Sequence, residues 1–267
     1  AGRMRPLDAE LARRAPGGAG GGGQHLVRDG PPDFKKNSIK PWLKDCWCIP
    51  PKENEDFAFA MEDVLKVYHR DFDDGTVLVC TDESSKQLTR ETREPLPTSP
   101  GQPAIYDFEY ERNGTANLFM VHAPLAGWRH VEVTDRRTKL DFAHLLRDMA
   151  DVHFPDRKIV LVMDNLNTHK LSALYKGFPA DEALRLADRF EVHHTPKHGS
   201  WLNMAEIEIG VLSRQCLARR IPDRETLERQ IAAWQARRNA AATPVDWRFR
   251  TEDSRVKLKS LYPIIPC

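Results

Sequence analysis

No stretch of this 267-residue sequence is hydrophobic enough to span a bilayer. The longest purely aliphatic run, Ile159 to Met163, is five residues, against the roughly 20 that a membrane helix needs. No basic segment followed by an apolar one opens the chain, so secretion is not expected. Cys46, Cys48, Cys80, Cys216 and Cys267 are odd in number and lack C-x-x-C spacing. That argues against a disulfide scaffold and a zinc knuckle, and for the reducing cytosol. Walker-type and G-x-G-x-x-G loops are missing, which leaves nucleotide hydrolysis without support. Internal repeats are missing too.

What is present is an ordinary soluble composition, 40% hydrophobic and 30% charged, on a chain long enough to bury a sizeable core unaided. The net charge of +1 conceals an asymmetry. Residues 1–50 balance at +4 and residues 211–267 at +6, which leaves −9 for residues 51–210. An acidic centre between basic ends suits a carboxylate-built metal site approached by a polyanion, although segregated surface charge gives the same sums.

Eight of the fifteen glycines fall before residue 31, and Pro16 to Gly23 reads P-G-G-A-G-G-G-G. Such a stretch cannot repay its ordering entropy, so residues 1–34 are expected to be disordered. Residues 35–55 form a basic, aromatic connector closed by Pro50 and Pro51. A helix is expected on Phe57, Met61, Val64, Leu65 and Tyr68. Strands are expected at Thr76 to Thr81, Ala116 to His122, Trp128 to Val133, Ile159 to Met163 and Phe190 to His194, with a hairpin turn at Pro124 to Gly127. Helices are expected over Thr138 to His153 (Leu140, Leu145, Met149 and Val152 near its core face), Pro179 to Arg189, Leu202 to Arg219 and Arg224 to Asn239. Antiparallel strands followed by alternating helix and strand predict an α/β fold, a mixed sheet covered by helices.

Asp82 follows the first strand in C-T-D-E, and Asp164 follows the aliphatic strand in V-M-D-N-L-N-T-H. Ligand sites in open α/β sheets lie beyond such strand ends. One aspartate there is more often a turn or helix cap, but two together point to a site. The helix after T-P-K-H-G-S-W offers a third carboxylate. Its core stripe is Leu202, Ala205, Ile209, Leu212 and Cys216, and Glu206 and Glu208 flank it on opposite sides, so helical geometry leaves the choice open. Gly210 keeps the Glu206 side uncrowded. Three converging carboxylates repel one another unless cations bind among them, and hard oxygen ligands select Mg²⁺ or Mn²⁺. A pair of such ions serves in-line phosphoryl displacement.

The blocks C-T-D-E, V-M-D-N-L-N-T-H and T-P-K-H-G-S-W-L-N-M-A-E resemble the three catalytic blocks of DDE transposases, in particular the bacterial insertion-sequence branch of the mariner superfamily. The resemblance runs from about Lys35 to Pro263 and takes in Tyr110 to Phe119 and Leu212 to Asp223. It implies a ribonuclease H-like catalytic domain over residues 56–241, followed by a C-terminal tail at 242–267. It also implies Asp82, Asp164 and Glu206 as metal ligands, since the third acidic residue of the family follows L-N-x-x. The 41 residues between Asp164 and Glu206 exceed the usual spacing, which an insertion around Tyr175 to Leu186 would explain.

The activity implied is cut-and-paste DNA transposition: nicking at the element's ends, then attack of the 3′-hydroxyl on target DNA, for which TA is preferred. Asn165, His169 or His198 would lie near the metals or the scissile phosphate. Double-stranded DNA would be held by Lys36, Lys40 and Lys44, with Trp42 and Trp47 among them, and by Arg214, Arg219 and Arg220, with Arg237 and Arg238 on the last helix. A homodimer on DNA and a nucleoid-associated, cytoplasmic setting follow from the same resemblance. Relatives carry helix-turn-helix modules ahead of the connector, where this sequence has glycine; a chain lacking end recognition is therefore expected. The rival readings are another ribonuclease H-like nuclease, such as a resolvase or repair nuclease, and a non-catalytic DNA-binding remnant that inhibits transposition.

Overall fold

The computed structural model describes residues 54–164 and 170–262. The expected glycine-rich segment and the connector through residue 53 lie outside them. Helix α1, Glu55–Tyr68, begins where the Asn54 side chain accepts a hydrogen bond from the Phe57 N–H at 2.8 Å. Glu55 and Asp56 in its first turn and Lys66 in its last complement the helix dipole. The five apolar positions expected to face the core are all buried.

One sheet holds β1 (Thr76–Glu91), β2 (Tyr110–Ala123), β3 (Trp128–Thr134), β4 (Lys158–Met163) and β5 (Phe190–His194), in the order β3-β2-β1-β4-β5. The first three strands run antiparallel, while β4 and β5 run parallel to β1. The expected mixed sheet is present. Because side chains alternate along a strand, the apolar runs serve two cores. Leu78, Cys80, Leu118, Met120, Val160 and Val162 face α1, α5 (Met204–Leu212) and α6 (Arg224–Ala241). Val77, Val79, Phe119, Val121, Ile159 and Leu161 face α2 (Lys139–Asp148), α3 (Leu174–Gly177) and α4 (Ala180–Ala187).

Besides β2 starting at Tyr110 and not Ala116, and the helix expected over Leu202 to Arg219 giving way to a π turn at Ser213–Leu217, two expectations need correction. The first strand does not stop at Thr81. Its parallel pairing with β4 ends at Cys80↔Val162, but its antiparallel pairing with β2 continues to Glu91↔Tyr110. Residues 82–91 are mostly polar, with only Leu88 fully buried. This half of the strand is held by its ladder rather than by a buried face, which is why alternation did not reveal it. Asp82 therefore sits inside a strand, at the point where that strand parts from β4.

The second correction concerns α2. Leu140 and Val152, expected near the core, are 43% and 65% exposed. The buried stripe is Phe142, Ala143, Leu145, Leu146 and Met149. A five-residue π turn, Met149–His153, closes the helix. It rotates Val152 out of the phase that an uninterrupted α-helix would give it.

After α6 the chain returns to the sheet. Val245 N–H bonds the Pro124 carbonyl at 2.9 Å, and the Trp247 ring lies 5.2 Å from that of Tyr68. Helix α7, Thr251–Lys257, then reaches α1 through an Arg255–Glu62 ion pair at 2.7 Å. No helix among the described residues is long and apolar enough to cross a membrane.

Candidate active site

Asp82 is anchored from both sides. The preceding Thr81 hydroxyl donates to the Met120 carbonyl at 2.8 Å, and the following Glu83 N–H donates to Asp82 Oδ1 at 2.8 Å. Asp164 comes directly after the last residue of β4. Its carbonyl lies 3.3 Å from Nδ1 of His194, the last residue of β5, and Thr195 N–H bonds the Met163 carbonyl at 2.9 Å. The strand ends are thus tied together just where β1 diverges from β4, the kind of crevice in which α/β sheets bind ligands.

Glu206 stands in the first turn of α5, exposed to solvent. Its charge reaches the two aspartates' crevice. Burial raises the Asp82 carboxyl, the Glu83 N–H bond opposes this, and the negative charges of Asp164, Glu206 and Glu83 raise it again, to about 6. Asp82 therefore feels the charge of the other two carboxylates expected from the sequence. The three are not closed into a cage: among the described residues, no three His, Cys, Asp or Glu side chains already surround a single point as metal ligands.

Glu208, the other glutamate on α5, has a different fate. It is buried, 3.1 Å from Arg129 Nε and 3.0 Å from Arg238 Nη2. Arg238, a member of the expected basic cluster, is thereby drawn inward. Glu208 is thus committed to two arginines, while Glu206 stays exposed on the other side of α5.

His198 is exposed in the loop before α5, in the left-handed region at φ 65°. Asn165, His169, Lys36, Lys40 and Lys44 lie outside the described residues. The Arg214 guanidinium folds back along α5, 3.4 Å from where a Cβ on Gly210 would be. Glu206, Gly210 and Arg214 are successive fourth residues, so this cation shares the Glu206 side of the helix. Arg219 is exposed and lines a cleft of about 580 Å³ with Lys86, Thr89 and Tyr106. Arg220 is taken up within the chain. It pairs with Glu91, donates to the Glu109 carbonyl at 2.9 Å and lies 5.2 Å from the Tyr110 ring.

Two residues at the site escaped the sequence reading. His194 is one of a His-His pair ending β5, and nothing in its spacing marked it. Asn203 had a readable signal, a cap residue three positions ahead of an acidic residue that opens a helix. Its side chain accepts from the Ala205 N–H at 3.0 Å and donates to the Thr81 carbonyl at 2.9 Å.

Three solved structures share this fold at low identity. The Mos1 transposase paired-end complex with left transposon end is 16% identical with a TM-score of 0.55, the match covering 86% of this chain and 69% of that one. A pre-cleavage Mos1 transpososome is 15% identical at 0.50, covering 87% and 70%. The Mos1 strand transfer complex is 16% identical at 0.50, covering 80% and 69%. The expected ribonuclease H-like architecture is thereby borne out. No curated protein sequence matches the chain. The family model for DDE superfamily endonuclease matches residues 77–228, from β1 into α6 and across all three acidic positions. That is more than half of the sequence, and the chain belongs to the DDE superfamily of endonucleases.

Proposed function

We propose that this chain is the catalytic part of a transposase, which cuts DNA at an element's ends and joins the freed 3′ ends to target DNA. Asp82, Asp164 and Glu206 are its metal ligands. The observation that carries this reading is the electrostatic one. A part-buried carboxylate is pushed up to about 6 by burial and by two further carboxylates from separate elements. Hard carboxylate oxygens brought near one another fit Mg²⁺ or Mn²⁺, ions that also take water and phosphate oxygens as ligands. Two such ions would supply activation of the attacking oxygen and neutralisation of charge on the leaving oxygen.

The chain's own part is to hold three acceptors in one crevice and to offer cations beside it. Arg214, on the Glu206 side of α5, and exposed Arg219 are suited to phosphate contacts. Arg220 is less suited, because its guanidinium already has partners. Lys36, Lys40 and Lys44 would extend the contact along the duplex. Assembly as a homodimer on DNA, a TA target, a bacterial insertion-sequence origin and a cytoplasmic setting belong to the same proposal.

The test is Mn²⁺-dependent nicking and strand transfer on a labelled duplex, wild type against Asp164→Ala. Loss of a metal ligand should slow both steps at least about a hundredfold. Nicking without joined products would favour a simple nuclease on the same fold. DNA binding with neither reaction would make this chain a non-catalytic remnant.

A further inference from the structure

We infer that Asn203 is a positioning residue, a strut that sets the spacing between Asp82 and Glu206. The inference rests on the reading of those two carboxylates as parts of one site. Asn203 is fully buried, and each end of its amide is used. Oδ1 caps α5 by accepting from the Ala205 N–H at 3.0 Å. Nδ2 donates to the Thr81 carbonyl at 2.9 Å. One contact thus lies next to Glu206 in sequence and the other next to Asp82. The Glu206 N–H also bonds the Asn203 carbonyl at 3.1 Å, so the first turn of α5 hangs from this residue.

A cap alone would not ask for asparagine. Ser, Thr and Asp cap helices comparably well, but among them only asparagine adds an amide donor on the opposite side of the acceptor. A buried amide NH₂ without a partner would be costly, and here the partner is the strand that carries Asp82. The neighbouring residue is held as well, since the Tyr68 hydroxyl donates to the Leu202 carbonyl at 2.6 Å. The start of α5 is therefore pinned to α1 through Leu202 and to β1 through Asn203. These are the fixed points from which Glu206 reaches the crevice.

The test compares the full chain with Asn203→Ser, which can still cap but is too short to span to Thr81, and with Asn203→Asp, which keeps volume and cap but loses the donor. Leu212→Ala, a core change at the far end of α5, controls for general loss of stability. Three quantities are read: Tm, Mn²⁺ affinity by calorimetry, and hydrogen exchange in the 78–84 and 203–209 segments. For Asn203→Ser the expected result is at least tenfold weaker Mn²⁺ binding and faster exchange in both segments. Leu212→Ala should stay within twofold of wild type in affinity despite an equal or larger fall in Tm. Asn203→Asp should show the same faster exchange. If affinity simply tracks Tm across the variants, the strut is overturned. If wild type binds no Mn²⁺, the metal-site reading fails and exchange alone decides the strut: faster exchange in both segments upholds it, unchanged exchange overturns it.

Discussion

Glu208 and Arg129 form an ion pair, 3.1 Å between Oε1 and Nε, in which neither side chain exposes more than 4% of its surface. Arg129 comes from β3 and Glu208 from α5, and Arg238 of α6 closes on the same carboxylate. Asn239 joins the cluster, accepting from Arg129 N–H at 2.9 Å and donating to its carbonyl at 2.8 Å. Removing the carboxylate would leave the buried Arg129 guanidinium without its counter-charge and the part-buried Arg238 without its partner. Glu208→Ala is expected to cost about 3–5 kcal/mol of stability, the usual price of an uncompensated buried charge. Urea unfolding measures it, and a loss under about 1 kcal/mol would show that the pair is not holding α5.

Glu206, two residues away, is expected to behave in the opposite way. It is exposed and adds repulsion to Asp82. In the metal-free protein Glu206→Gln should stay within about 0.5 kcal/mol of wild type or gain slightly. Added Mn²⁺ should raise the Tm of wild type and raise that of the variant much less, since ligand binding stabilises in proportion to affinity. A Tm scan with and without Mn²⁺ decides it. Equal Mn²⁺ shifts in both proteins would remove Glu206 from the ligand set.

The contrast between these glutamates shows where the sequence was legible. Alternating and helical apolar patterns exposed β4, β5, α1 and α6 with nearly their true bounds, because burial wrote those patterns. The outer half of β1 was hidden because pairing with β2, not burial, holds residues 82–91 in line. Which glutamate faced inward could not be read from α5 alone. The answer depends on Arg129, far away in the chain, entering the core. Asn203 was overlooked for a related reason: its cap is local and readable, but its second bond reaches Thr81 across 122 positions.

Two histidines should make stability depend on pH well above the carboxylate range. Burial holds His122 down at about 4, and burial together with the charge of His153 does the same for His130. The His122 Nδ1 faces the Trp128 carbonyl at 3.1 Å, so Nδ1 carries the proton, while buried Nε2 has no partner to receive a second one. Their folded values lie below the ordinary 6.5, so between pH 6.5 and 4 the unfolded chain takes up protons that the folded one refuses. The histidine contribution is therefore complete above about pH 6.5 and is lost as pH falls toward 4; Asp82, raised to about 6, offsets part of it, leaving a net decline of a few kcal/mol. His130→Gln should flatten that decline. A Tm that stays level from pH 7 to 5 would contradict the burial argument.

Arg219 and Arg220 are adjacent in sequence, yet they should answer to different assays. Arg220 ties Glu91, at the end of β1, to the Phe108 and Glu109 carbonyls, at the end of the segment between β1 and β2. Arg220→Ala is expected to loosen residues 92–109 and to speed limited proteolysis there several-fold, because local opening sets the cleavage rate. Arg219 is exposed and lines, as Arg220 does, the cleft with Lys86, whose Nζ is occupied by the Leu217 and Arg219 carbonyls. Arg219→Ala should leave proteolysis unchanged, weaken duplex binding and lower the salt slope by about one. If instead Arg220→Ala weakened DNA binding with the segment still protected, Arg220 would regain the phosphate-binding role that its internal contacts argue against.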